Sequence, residues 1–152
     1  FVAGTADMFA RWTEEFRDSP NRLFPIDSER ASGAHGDPNI SFHMGAWQLE
    51  DDQALVVELT PPACLYRNFQ LNNYWMESLD YRWHRVHLNS HDAVVDGDGI
   101  VRIVVAQRDP KLANWLYTTG HSHGTMGLRC IKAQVAAAVK TRVCRLSELA
   151  SP

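Results

Sequence analysis

Two histidines separated by a single residue, His121 and His123, are residues of this chain whose types and spacing suit chemistry. On an extended strand, residues two apart share a face, so both imidazoles would reach one divalent metal ion. Metal-binding jelly rolls that use such a pair add a carboxylate shortly after it and a third histidine later. Here no Asp or Glu lies between Gly124 and Ala133, and no histidine follows His123. Further ligands would come from His84, His87 or His91, or from Glu77 or Asp80. The plainer alternative is a loop whose histidines meet backbone or solvent. Glu77 and Asp80 flank an aromatic turn, where a carboxylate serves as a general base in a pocket or simply anchors the turn. Asp96-Gly97-Asp98-Gly99 looks like the middle of a calcium loop. Its first and twelfth positions would be Val94 and Val105, which carry no side-chain oxygen, so the match fails. There is no G-x-S-x-G nucleophile elbow, and Cys64 beside an apolar run reads as packed rather than reactive.

A second kind of chemistry lies in Cys64 to Trp83, which is dense in aromatics and amides. Read with period two, Leu65, Phe69, Leu71 and Trp75 share one face with Arg67 and Asn73. Tyr66, Asn68, Gln70, Asn72 and Tyr74 share the other. Carboxamides and phenols donate and accept hydrogen bonds without charge, which suits a neutral ligand such as a small molecule or a carbohydrate. Trp115, from a later segment, would add an aromatic wall. The competing reading is a sheet face covered by another part of the protein, with Trp75 and Trp115 as ordinary core.

The elements that must carry these residues are mostly strands. Met8, Trp12 and Phe16 recur at spacing four, so residues 1–18 read as an amphipathic flanking helix. Residues 19–39 are rich in Pro and Gly and read as loop. Strands are expected over 40–49, around Leu55, Val57 and Leu59, through the aromatic stretch as far as Met76, and over 85–89, 100–107 and 125–133. Residues 108–120 read as loop with Asn114-Trp115-Leu116 tucked into it. Residues 134–140 favour a helix by their alanines, and 134–152 form a C-terminal extension. No helical pattern separates the central strands, so a parallel βαβ sheet is excluded. The expected fold is a single mainly β domain, an antiparallel sandwich or jelly roll over 40–133, with an N-terminal helix and a short C-terminal one.

Composition bounds the function. The chain has 152 residues, enough for a core without staples, and its net charge of −3 argues against nucleic-acid binding. No apolar run reaches the length of a membrane span. Cys64, Cys130 and Cys144 are widely spaced, with no CxxC pair, and are expected as free thiols in a reducing, cytoplasmic compartment. The chain starts at Phe1 without Met or a signal-peptide pattern, which suggests part of a longer or processed protein.

An ordered set of short words runs through the chain. It comprises GDPNI (Gly36 to Ile40), CLYRNFQLNNYWMESLDYR (Cys64 to Arg82), a DG turn with a V-x-I-V-V-A strand, and RDP…NWL…GH…G…R (Arg108 to Arg129). This order resembles the bacterial domain of unknown function 1214. The Tyr74-Trp75 to Asp80 segment and the Pro110 to Leu116 P-x-x-x-N-W-L segment carry the likeness, over roughly residues 36 to 133. The resemblance implies a C-terminal, jelly-roll-like β-sandwich module, often behind another domain of unknown function. It brings no reaction and no catalytic residue.

Three functions are therefore expected to compete. One is a binding module, or the non-catalytic part of a larger protein, using Tyr66, Asn68, Gln70, Asn72, Tyr74 and Trp115, with no cofactor. The second is a metal-assisted enzyme built on His121 and His123. The third is an assembly subunit, possible as an oligomer, packing through its aromatic face.

Overall fold

The computed structural model describes residues 2–149, with side chains from residue 4 onward. Phe1 of the expected helix and residues 150–152 of the expected extension lie outside the described residues. Nine strands and three helices follow in chain order: α1 (Val2–Arg17), β1 (Phe24–Ile26), α2 (Ser28–Gly33), β2 (Ile40–Gln48), β3 (Gln53–Thr60), β4 (Tyr66–Asn72), β5 (His87–Asn89), β6 (Val101–Ala106), β7 (Trp115–Tyr117), β8 (His123–Ile131), β9 (Ala138–Arg145) and α3 (Leu146–Leu149). They form two sheets, β1-β2-β8-β4-β5 and β7-β6-β3-β9, here called A and B. Every pairing is antiparallel except β6 with β7. The fold is mainly β and sandwich-like, with an N-terminal helix and a short C-terminal one, as the alternating sequence predicts.

Alternation explains the layers. Trp47, Phe69, Leu71, Leu88, Met126 and Leu128 point inward from sheet A. Leu55, Val57 and Leu59 meet them from β3, with Val101, Ile103 and Val105 from β6. Each such side chain contributes about 1.5–3 kcal/mol on burial. The outer face of sheet B is built from small residues, Ala54, Val56, Val104 and Ala106. Trp115, Leu146 and Leu149 cover it. The outer face of sheet A is only half covered. There α1 lays Trp12 and Phe16 on Met44 and Ala46 of β2, the core-facing stripe that the spacing of four anticipates.

Several local expectations are corrected. The aromatic strand stops at Asn72 instead of Met76. Asn73 ends it, because its Oδ1 accepts from the backbone N–H groups of both Trp75 and Glu77, a local bond that competes with the ladder. Trp75 therefore leaves the core face and is 56% exposed, while Leu65, which precedes the start of the strand at Tyr66, is 72% exposed. The 19–39 loop contains β1 and α2, and the 108–120 loop contains β7. The alanine-rich segment is not a helix over 134–140. Residues 138–145 pair with β3 from Thr60↔Ala138 to Gln53↔Arg145, so sheet B extends past residue 133. Pairing with a ready strand overrides the helix propensity of the alanines.

His43 carries a testable consequence of this packing. It is 4% exposed on β2, and its Nδ1 has no hydrogen-bond partner. Burial pushes its pKa below the ordinary 6.5, partly offset by a hydrogen bond with the Ala137 backbone. A histidine held neutral in the fold stabilises it fully above the unfolded value. That contribution is lost as pH falls below 6.5 toward the folded pKa. Urea midpoints should therefore fall between neutral pH and about pH 5, and His43→Leu should flatten that slope. An unchanged slope in the variant would assign the acid sensitivity elsewhere.

Candidate functional site

Beyond the edge of α1, the open half of sheet A forms a cleft of about 450 Å³. Strand register sets rows of outward-facing side chains across sheet A, of which Ile40, Ile131, Tyr66, Asn68, Arg129, Gln70 and His87 line the cleft and Met44 lies under α1. Ile40, Ile131 and Tyr66 form one row, and Phe42, Arg129 and Asn68 the next. Met44, Gly127, Gln70 and His87 form a third. Neighbours within a row stand about 4.5–5.5 Å apart at Cβ. Gly127 leaves a gap in its row, and a Cβ there would already meet Met44 Sδ at 3.0 Å. The segment after Asn73 supplies a wall through Ser78 and Tyr81.

The polar atoms of the floor differ in how free they are. Gln70 donates its Nε2 to Asn72 Oδ1 at 2.8 Å and to Ser78 Oγ at 2.7 Å. Its donors are committed, which leaves its carbonyl oxygen as an acceptor. Tyr66 packs beside His91, ring centroids 6.1 Å apart. Arg129 lies half-buried with its guanidinium 6.0 Å from the Phe42 ring. Among the described residues it forms no ion pair, and no carboxylate lines the cleft.

The residues singled out in the sequence divide accordingly. Tyr66, Asn68 and Gln70 come together on the cleft floor. Asn72 is buried and its Oδ1 accepts from Gln70. Tyr74 turns away and donates its hydroxyl to Glu14 of α1. That bond holds the Glu14 carboxyl below, and the phenol above, their usual ranges. Thr13 Oγ1 donates to Tyr74 O at 2.9 Å, so this turn serves to dock α1. Trp115 lies on the opposite sheet, its Nε1 donating to Ala106 O at 3.1 Å.

His121 and His123 are exposed at the far end of β8, about 20 Å from Arg129 at strand rise, and His123 Nδ1 meets Ser122 Oγ at 3.2 Å. Among the described residues no group of three His, Cys, Asp or Glu side chains stands where it would hold a metal ion. Glu77 accepts from Asn73 Nδ2 at 2.8 Å, and Asp80 from the Arg82 N–H groups, so both act within the turn. Asp96 and Asp98 of the calcium-like turn are each bound to Arg102 at 2.6 Å. Arg102 also reaches Glu58 at 3.3 Å. The three cysteines are free thiols, and burial beside Cys64 pushes Cys130 up to about 11. Arg129 is the cleft residue that reasoning about β4 alone missed. Its signal is a lone arginine at an outward position of an otherwise uncharged strand.

These features define a class, a two-sheet sandwich with an acid-free cleft on one outer face. Comparison with solved structures places the chain beside an uncharacterised protein from Burkholderia cenocepacia. The two share 42% identity and a TM-score of 0.89 over 92% of this chain. A protein from Vibrio parahaemolyticus shares the fold, at 15% identity and a TM-score of 0.55 over 75% of this chain. This chain spans 39% and 34% of the length of those two proteins. No family model matches the sequence, and no curated protein matches it. No helix among the described residues is long and apolar enough to cross a membrane.

Proposed function

We propose that this chain is a small-molecule-binding module of the bacterial domain of unknown function 1214 kind, jelly-roll-like in its sandwich and cytoplasmic, with its ligand seated on the outer face of sheet A. The observation that carries this is the convergence of Tyr66, Asn68 and Gln70 on one cleft of about 450 Å³. That volume is within the range of small-molecule sites, which pair an apolar lining with a few placed polar groups. The binding role needs no catalytic group. It also fits a non-catalytic part of a larger protein, since the similar chains are more than twice as long.

The test is a titration followed by the side-chain amide resonances of Asn68 and Gln70 in 15N-labelled protein. The probes are glucose, glycerol, glycine, benzamide and benzoate at millimolar concentration. At least one should shift those resonances together with residues 127–131, and leave β9 unmoved. If none does, the cleft is not a ligand site.

A further inference from the structure

We infer that the ligand of this cleft is a small organic carboxylate, with Arg129 as its counter-ion and an apolar body lying on Ile40 and Ile131. This rests on reading the cleft as a ligand site, and it names the ligand's chemical class. Three observations lead to it.

The first is charge. The protein carries a net charge of −3, yet the cleft lining contains no acid and one arginine. Some other arginines are paired with carboxylates, as Arg30 is with Glu15 at 2.7 Å and Arg102 with Asp96 and Asp98. Arg129 has only the face of Phe42. A half-buried guanidinium without an anion keeps its planar fork of donors open for a bidentate partner.

The second is placement. Arg129 and Asn68 are direct cross-strand partners on the outer face. The Asn68 carboxamide has no hydrogen-bond partner among the described residues, so it offers a neutral donor beside the cationic one. Two oxygens of one carboxylate would be met by neighbouring side chains on rigid strands, the arrangement that holds geometry best.

The third is the lining. The adjacent row, Ile40, Ile131 and Tyr66, is apolar apart from the Tyr66 hydroxyl. A free inorganic anion would gain nothing from it. A carboxylate carrying a ring or short chain buries that body there, and a polar substituent would reach the open Gln70 carbonyl oxygen.

The experiment compares isosteric probes, benzoate and benzamide, on wild type, Arg129→Gln and Arg129→Lys. Binding is read from the Asn68 and Gln70 side-chain amides. Benzoate should bind at least about tenfold more tightly than benzamide, as one charge-assisted hydrogen-bond pair implies. Arg129→Gln should bring benzoate down to the benzamide level and leave benzamide unchanged. Arg129→Lys should fall between, because it keeps the charge and loses the fork. Unperturbed resonances from β3 and β6, in the other sheet, would show that each variant is folded. Equal binding of the two probes, benzoate binding unaffected in Arg129→Gln, or no benzoate binding at all overturns the carboxylate assignment. In those cases a response to glucose, glycerol, glycine or benzamide at Asn68 preserves the ligand site. Silence from every probe removes both.

Discussion

Trp47→Ala should cost about 3–5 kcal/mol of stability, the range for truncating a fully buried large aromatic. Trp47 is 0% exposed and sits between the sheets, beside the inward residues of β4 and β8. Its Nε1 donates to Thr125 O at 3.0 Å, so truncation removes packing and a buried hydrogen bond together. Domains of this size hold about 5–15 kcal/mol in total, so the variant should be marginal. Urea unfolding followed by far-ultraviolet circular dichroism checks this, with a lower midpoint at unchanged slope as the expected result. Trp47→Phe, which keeps a ring but no donor, should be milder. A loss below about 1 kcal/mol for the alanine variant would mean that the sheets close over the space, against the limited collapse usual in cores.

The second large effect is expected at the residue facing that indole. A Cβ on Gly124 would stand 2.8 and 2.9 Å from Cζ2 and Cε2 of Trp47, and closer still to the Asn72 carbonyl oxygen. The indole belongs to a packed core, and the carbonyl belongs to the backbone of β4. Neither swings aside cheaply, so Gly124→Ala should destabilise by about 1–3 kcal/mol, the cost of overpacking. The two neighbours can be separated by repeating the change in a Trp47→Phe background. Phenylalanine relieves the indole clash and leaves the Asn72 carbonyl where it is. Most of the cost should therefore persist. If it vanishes, the indole alone resists the extra methyl group.

Both effects arise where the sequence was most readable. Ile40, Phe42, Met44 and Ala46 alternate with Ser41, His43 and Trp47, and β2 forms where that alternation places it. The same holds for Leu55, Val57 and Leu59 in β3. Period two is a local signal, and it survives because the two faces of each strand meet different neighbours: Trp47 enters the core between the sheets, and Met44 and Ala46 lie under α1. What the sequence hid was non-local. Phe24-Pro25-Ile26 is too short for a pattern and contains a proline, which edge strands tolerate. Trp115 to Tyr117 forms a strand only because Val104 to Ala106 lies parallel beside it. The alanines before β9 favoured a helix until β3 offered a partner.

The site follows the same division. Tyr66, Asn68 and Gln70 could be read from one strand. Asn72 and Tyr74 share their parity, yet α1 and the Asn73 turn take them out of the cleft. Arg129 is 61 residues from Asn68 in the chain (129 − 68), and register alone makes them neighbours. The extended strand that would have carried Trp75 into the core is cut short by a side chain, Asn73, that hydrophobic periodicity does not register.

The position of β8 has a kinetic meaning. It lies between β2 and β4, pairing Ile40 with Ile131 and Tyr66 with Ile131. Both partners are synthesised first and cannot meet each other without it. Until residues 123–131 leave the ribosome, β2 and β4 wait with unsatisfied ladder groups, while β3 and β6 can already join. Pairings of long sequence separation form slowly, so the β3-β6 pair can form before sheet A closes around β8, and β9 completes sheet B last. The cleft, whose floor is shared among β2, β8, β4 and β5, can exist only after β8 has been inserted.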